Sequence, residues 1–155
     1  MADIKKLAED LIKLCQLDID AAVAYEQAIP RIDHPVVKMR FNEFLNDHNR
    51  HIGDLVQQIM ELGASPPERS PDFKGFFIKG FTDMRSVGGT KGALEAMDTN
   101  EKLTNKMYHD ALNWPSLVPN SRSLVVVNLD DEKKHLEFIE ESIEAKVWEK
   151  PYAVK

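Results

Sequence analysis

Four long segments of the chain repeat apolar residues at intervals of three and four, the spacing that lines one face of an α-helix. The first, about residues 3–29, aligns Leu7, Leu11, Leu14, Asp18, Ala21 and Tyr25 and is stopped by Pro30. The second, about 35–62, stacks Phe41, Phe44, His48, His51, Leu55, Gln58 and Leu62 before Gly63 ends it. The third, about 90–112, carries Leu94, Met97, Glu101, Thr104, Tyr108 and Ala111, and the fourth, about 121–148, carries Val125, Asn128, Glu132, His135, Ile139 and Ser142. Short links at 29–35 and at 113–120, the latter with Pro115 and Pro119, fold the helices into two antiparallel hairpins. A longer connection, 63–89, separates the hairpins; it is Pro-rich from Ser65 to Pro71, and its Phe73, Phe76, Phe77 and Phe81 predict a short packed helix, with Lys74 and Lys79 on the surface. That length suffices to carry the chain from one end of a bundle to the other, and the Gly88-Gly89 pair marks where it ends. The pattern predicts an all-α, antiparallel four-helix bundle over residues 1–155, one domain with a long crossover between helices 2 and 3.

What does not belong on these stripes is charge. Asp18, His48, His51, Glu101, Glu132 and His135 occupy inward positions, yet a buried ion without a partner costs several kcal/mol, so such a group must be paired, neutralised or ligated. Their heights agree. Asp18 and His48 are each about fifteen residues from the first turn, near Asp33, and Glu101 and Glu132 are about as far from the second, near Ser116; at about 1.5 Å per residue all four share one level, roughly 23 Å from the turns. His51 and His135 follow three residues later on the same faces. The hairpins also repeat one another: Asp18 and Tyr25 are seven apart, as are Glu101 and Tyr108, while His48 and His51 mirror Glu132 and His135. Two facing half-sites, each an acid with a tyrosine opposite a ligand-x-x-His pair, predict one central site for a metal pair.

Composition narrows the partners. The 155 residues are 43% hydrophobic and 30% charged with only 7 Gly and 8 Pro, a globular balance, and the length suits one domain. A net charge of −6 and the lack of a basic stripe argue against nucleic acid. No run approaches the roughly 18–20 apolar residues that span a bilayer, and the first ten residues do not read as a signal peptide, so no membrane is expected and a cytoplasmic location is. Cys15, the one cysteine, has no internal partner and sits in an apolar stripe, where it reads as a packed thiol.

Glu132-Lys133-Lys134-His135 resembles the Glu-x-x-His motif of ferritin-like di-metal carboxylate proteins, and Glu101 with Tyr108 resembles the acid-and-tyrosine third helix of rubrerythrins and bacterioferritins. The stretch from Gly80 to Leu112, with Gly80-Phe81-Thr82-Asp83-Met84-Arg85-Ser86, Asn100-Glu101 and Tyr108-x-x-x-Leu112, is similar to uncharacterised bacterial ferritin-like domains. The resemblance implies a ferritin-like bundle with iron, two ions, held by Asp18, His48, His51, Glu101, Glu132 and His135, and oxygen or peroxide redox chemistry. Asp18 and Glu101 are then terminal ligands and Glu132 a bridge. Tyr25 and Tyr108 are expected to donate hydrogen bonds to the ligating carboxylates. The second helix departs from the motif, offering His48-Asn49-Arg50-His51 in place of Glu-x-x-His, so an imidazole stands where a carboxylate is expected. A single Zn, Fe or Mn is the alternative to two ions, with Zn or Mn the alternatives to iron.

Plainer readings stand beside these. The six residues also suit a metal-free polar layer that fixes the register of a non-catalytic bundle, one that acts through its surface on a protein partner or as a homo-oligomer, a dimer first. Iron storage needs a closed shell that one sequence does not reveal. Asp20 points off the stripe and Glu26 lies too near the turn to ligate; Asp47, His34 and His109 are expected in solvent.

Overall fold

A computed structural model describes residues 3–72 and 87–150. Among them are four long helices: α1 (Ile4–Ala28), α2 (Pro35–Glu61), α3 (Gly89–Ala111) and α4 (Pro119–Glu144). No strand is present among the described residues, and none of their helices is long and apolar enough to cross a membrane.

Local chemistry sets the helix ends. Asp3 caps α1 by accepting from the Lys6 N–H at 3.0 Å, and the chain leaves α1 through a 3-10 turn, Ile29–Arg31, that accommodates Pro30. His34, expected in solvent, is partly buried and caps α2: its Nδ1 accepts from the Val37 N–H at 3.3 Å, ahead of Pro35 at the first helical position. Gly63 follows α2 with φ of 80°, a left-handed conformation in which its N–H donates to Met60 and the Ala64 N–H to Ile59. The fourth helix begins at Pro119 and stops at Glu144, short of the expected 148. Lys146 turns left-handed with φ of 48°, and a 3-10 turn, Val147–Glu149, lays Val147 and Trp148 on the core instead of continuing the helix.

The two hairpins pack as α1 on α2 and α3 on α4, with α1 also against α3 and α2 against α4. Thr90 ties the start of α3 to the α1–α2 turn: its Oγ1 donates to the Asp33 carboxylate at 2.6 Å and accepts from the Asp33 N–H at 3.1 Å. The end of α2 and the start of α3, which Thr90 ties to the α1–α2 turn, lie at opposite ends of the bundle, as the crossover reading requires. In the connection, Gly63 to Asp72 carry no helix and cover α1, where Gln16 donates to the Ser70 carbonyl at 3.0 Å. The expected aromatic helix with Phe73, Phe76, Phe77 and Phe81 lies outside the described residues.

Apolar side chains gather in two clusters. One holds Leu7, Leu11, Leu14, Leu55, Ile59, Tyr108, Val125 and Leu129; the other holds Tyr25, Ile32, Phe41, Phe44, Leu94, Met97 and Ile139. Each large apolar side chain fully removed from water contributes about 1.5–3 kcal/mol. Between the clusters lies a polar layer at residues 18, 48, 51, 101, 132 and 135, every side chain of it buried.

Candidate metal centre

The six side chains singled out on the stripes converge, each at 1% exposure or less. They form two overlapping tetrads, Asp18, His48, His51 and Glu132 on one side and His48, Glu101, Glu132 and His135 on the other. His48 lies across the middle, Nδ1 at 2.8 Å from Asp18 Oδ1 and Nε2 at 3.1 Å from Glu101 Oε1. His51 Nδ1 meets the same Asp18 oxygen at 3.1 Å. Glu132 divides its oxygens: Oε1 lies 3.3 Å from His51 Nδ1 and 3.5 Å from His48 Nδ1, while Oε2 lies 3.4 Å from His135 Nδ1.

Around these stands a supporting shell. Tyr25 Oη donates to Glu101 Oε1 at 2.6 Å, and Tyr108 Oη donates to Asp18 Oδ2. Each tyrosine thus serves the acid of the other hairpin, not the acid two turns away on its own helix. Side chains lean toward the N-terminus of their helix, so in antiparallel neighbours Tyr25 leans toward Glu101 and Glu101 toward Tyr25. Thr104 Oγ1 lies 3.0 Å from Glu101 Oε2 and 3.1 Å from Glu132 Oε2, joining the two acids, and the Asn128 amide donates to Tyr108 Oη at 3.1 Å.

The outer histidine nitrogens correct the expectation that Asp47 is solvated. Asp47 Oδ2 is 2.8 Å from His135 Nε2, and Asp131 Oδ2 is 2.9 Å from His51 Nε2. Arg50 links both acids from outside, at 3.3 Å from Asp47 and in close contact with Asp131. The sequence held a signal for this in the repeat Asp47-His48-x-x-His51 and Asp131-Glu132-x-x-His135, in which each acid reaches across to the other hairpin's histidine. Asp20 stays off the site but is buried beneath the crossover, accepting from the Gln16 amide at 3.0 Å and the Asp72 N–H at 2.7 Å. Cys15 is buried, its thiol pushed up to about 12 by burial and by Asp18, and His109 is exposed.

Electrostatics inside the layer follow from burial and mutual pairing. Burial alone would raise the Asp18 and Glu101 carboxyls, but facing imidazoles, His51 and His48 for one and His135 and His48 for the other, hold both below the ordinary range. Glu132 is raised, by burial and by the neighbouring Glu101 charge. Burial lowers the imidazoles, yet the surrounding acids prevail: His48 rises to about 9, His51 to about 11, and His135 well above its usual value. Both tyrosines are raised well above theirs by burial and by the acids they bond, so they remain donors.

The donor set fits cations. Glu132 Oε1 and His135 Nδ1 are buried without a hydrogen-bond partner, although each faces ligand-type atoms at 3.3–3.5 Å. Ligand atoms placed tetrahedrally at about 2.0–2.1 Å from an ion stand about 3.3 Å apart. Oxygen and imidazole donors with outer carboxylates on the histidines are the makings of such a centre for Fe, Zn or Mn.

Comparison with known proteins agrees with this architecture. A ferritin-like, diiron-carboxylate protein from Bacillus anthracis str. Ames superposes with a TM-score of 0.68 at 22% identity, covering 92% of this chain and 99% of its own. The bacterioferritin of Rhodobacter capsulatus, described with a metal-free dinuclear site and heme iron, gives a TM-score of 0.69 at 17% identity, covering 94% of this chain and 88% of its own. At such identities the likeness speaks for the fold, which is that of the ferritin-like bundles. Among curated proteins none matches the chain. Residues 6–114 match the model of a domain of unknown function, DUF2383, and with most of its length inside that match the chain belongs to this family, built on a ferritin-like four-helix bundle.

Proposed function

We propose that the protein binds two iron ions in the central layer and uses them in oxidation by oxygen or peroxide. The observation that carries this reading is the pair of buried tetrads sharing His48 and Glu132, with Glu132 Oε1 and His135 Nδ1 left without hydrogen-bond partners. Iron bound there supplies one-electron redox chemistry and affinity for oxygen species. Asp18 and Glu101 serve as terminal carboxylates, Glu132 reaches both sides, and His48, His51 and His135 provide nitrogen. Tyr25, Tyr108 and Thr104 hold the carboxylates in place, and the two apolar clusters keep bulk water from the layer. The diiron-carboxylate and dinuclear-site descriptions of the structural relatives support iron over Zn or Mn. Replacing Glu132 by Ala is expected to abolish metal-dependent ferrous oxidation while circular dichroism keeps the helical signal; full oxidation by the variant would refute the assignment.

A second reading, a non-catalytic bundle, draws on one observation. Three carboxylates face three imidazoles that their environment holds protonated to high pH, so the layer balances its own charge. In that case chelation leaves thermal stability unchanged and added iron gives no oxidation. A cytoplasmic location and a homodimer complete the proposal, the dimer being read by sedimentation of the purified chain.

A further inference from the structure

We propose that His48 is a two-sided ligand, its Nδ1 completing a cation site with Asp18, His51 and Glu132 and its Nε2 completing a second with Glu101, His135 and Glu132. The inference rests on the metal-binding reading above and concerns what replaces the carboxylate that the second helix lacks.

Geometry carries it. The two ring nitrogens diverge, and each lies beside the terminal acid of a different hairpin, at 2.8 Å from Asp18 and 3.1 Å from Glu101. Glu132 is divided in the same sense, Oε1 toward His51 and Oε2 toward His135. The atoms facing the first compartment are 2.8–3.5 Å apart along the measured edges, and those facing the second 3.1–3.4 Å. Both sets bracket the edge of about 3.3 Å that a tetrahedral ion requires. The ring is fully buried and boxed by Tyr25, His51 and His135, with centroids at 5.4, 5.5 and 5.2 Å, so it is held in the orientation that serves both sides.

Charge closes the account. Two divalent cations bring four positive charges; three carboxylates return three, and an imidazolate supplies the fourth, with His51 and His135 neutral. A buried layer with net charge is costly, and this arrangement has none. Each His48 nitrogen gives a lone pair to one ion, and the ring's N–H protons, one from the neutral ring or two from the imidazolium, leave to solvent; His51 and His135 each release the inner Nδ1 proton of their imidazolium form as the ions enter, and no electron is transferred. An imidazole between two ions, each at about 2.0–2.1 Å from its nitrogen, sets them about 6 Å apart. Two-metal sites with no ring between the ions stand about 3.5–4 Å apart, so the separation distinguishes a pair spanned by His48 from one spanned by Glu132 alone.

The test is anomalous diffraction from crystals of the full chain loaded with Co(II), with cobalt content measured on the same preparation. Two cobalt ions per chain about 6 Å apart with His48 between them is the expected result. His48→Glu is expected to keep two ions and shorten their separation to about 3.5–4 Å; should that variant not fold, the wild-type separation decides alone. Two ions already at 3.5–4 Å in the wild-type chain, or a single ion with one His48 nitrogen still hydrogen-bonded to its acid, overturns the inference and spares the metal-binding reading. A chain that retains neither cobalt nor ferrous iron overturns both.

Discussion

If the outer carboxylates hold the histidines for an ion, removing Asp47 must weaken metal binding although Asp47 itself touches no ion. Asp47 Oδ2 accepts at 2.8 Å from His135 Nε2, which turns Nδ1 inward and makes it a better donor. Loss of such a partner costs about 10–100-fold in metal affinity, or about 1.4–3 kcal/mol. The Asp47 side chain is 29% exposed, so water can replace part of the bond in Asp47→Ala, which places the loss near tenfold. Asp131 is less exposed, at 18%, and water replaces less of its bond, so Asp131→Ala should lose more, about 30-fold. The acids act on different histidines in different tetrads but share Arg50, so the departure of the double variant from the product of the single losses, about 300-fold, reads the coupling between them. Competition of the purified chain against a chromophoric chelator for Co(II) reads these values. Lys134→Ala, which breaks an exposed pair with Asp130, is the control and should bind as wild type. Affinities of both Asp variants within twofold of wild type, with helical content intact, would refute the reasoning.

The metal-free protein should lose stability in alkali. His48 rises from 6.5 to about 9 in the fold, so its contribution is complete below about pH 6.5 and is lost as pH climbs through 9; for this fully buried ring it is about 3 kcal/mol, read from urea denaturation of chelator-treated protein at pH 6 and 9.5. Equal stability at both values would contradict it. On the acid side the lowered Asp18 and Glu101 carboxyls stabilise the fold above the ordinary carboxyl range, and that contribution is lost as pH falls through their folded-state values. Thr104→Val leaves Glu101 and Glu132 without their shared hydroxyl and should cost about 1–3 kcal/mol, measured the same way; a neutral effect would show that Thr104 does not hold the acids.

Much of this was legible in the chain because helices obey a fixed rise and period. The stripes located four helices to within a few residues at most ends, and counting from Asp33 and Ser116 put Asp18, His48, Glu101 and Glu132 at one level, where they meet. The end of α4 was misplaced because the apolar residues beyond Glu144 continue to pack after the helix has stopped, and periodicity cannot tell a 3-10 turn laid on the core from another helical turn. Asp47 and Asp131 were missed for a related reason. Each precedes an inward residue by one position, roughly 100° around the helix, which reads as the solvent side, yet a carboxylate there still reaches a histidine on the facing helix. Asp20 shows the same limit: its face is covered by the crossover, which leaves no periodic signal. The tyrosine partners across the bundle depend on the lean of side chains in antiparallel neighbours, a property of the pair and not of either helix.

The measurement that bears most directly on the central claim is metal content per chain, by elemental analysis of untagged protein purified without chelator and again after anaerobic addition of ferrous iron. Near two irons per chain, with a near-ultraviolet band growing in on exposure to air, is the predicted result. Protein that holds no ion in either preparation would contradict it and leave the six buried residues as a self-paired polar layer.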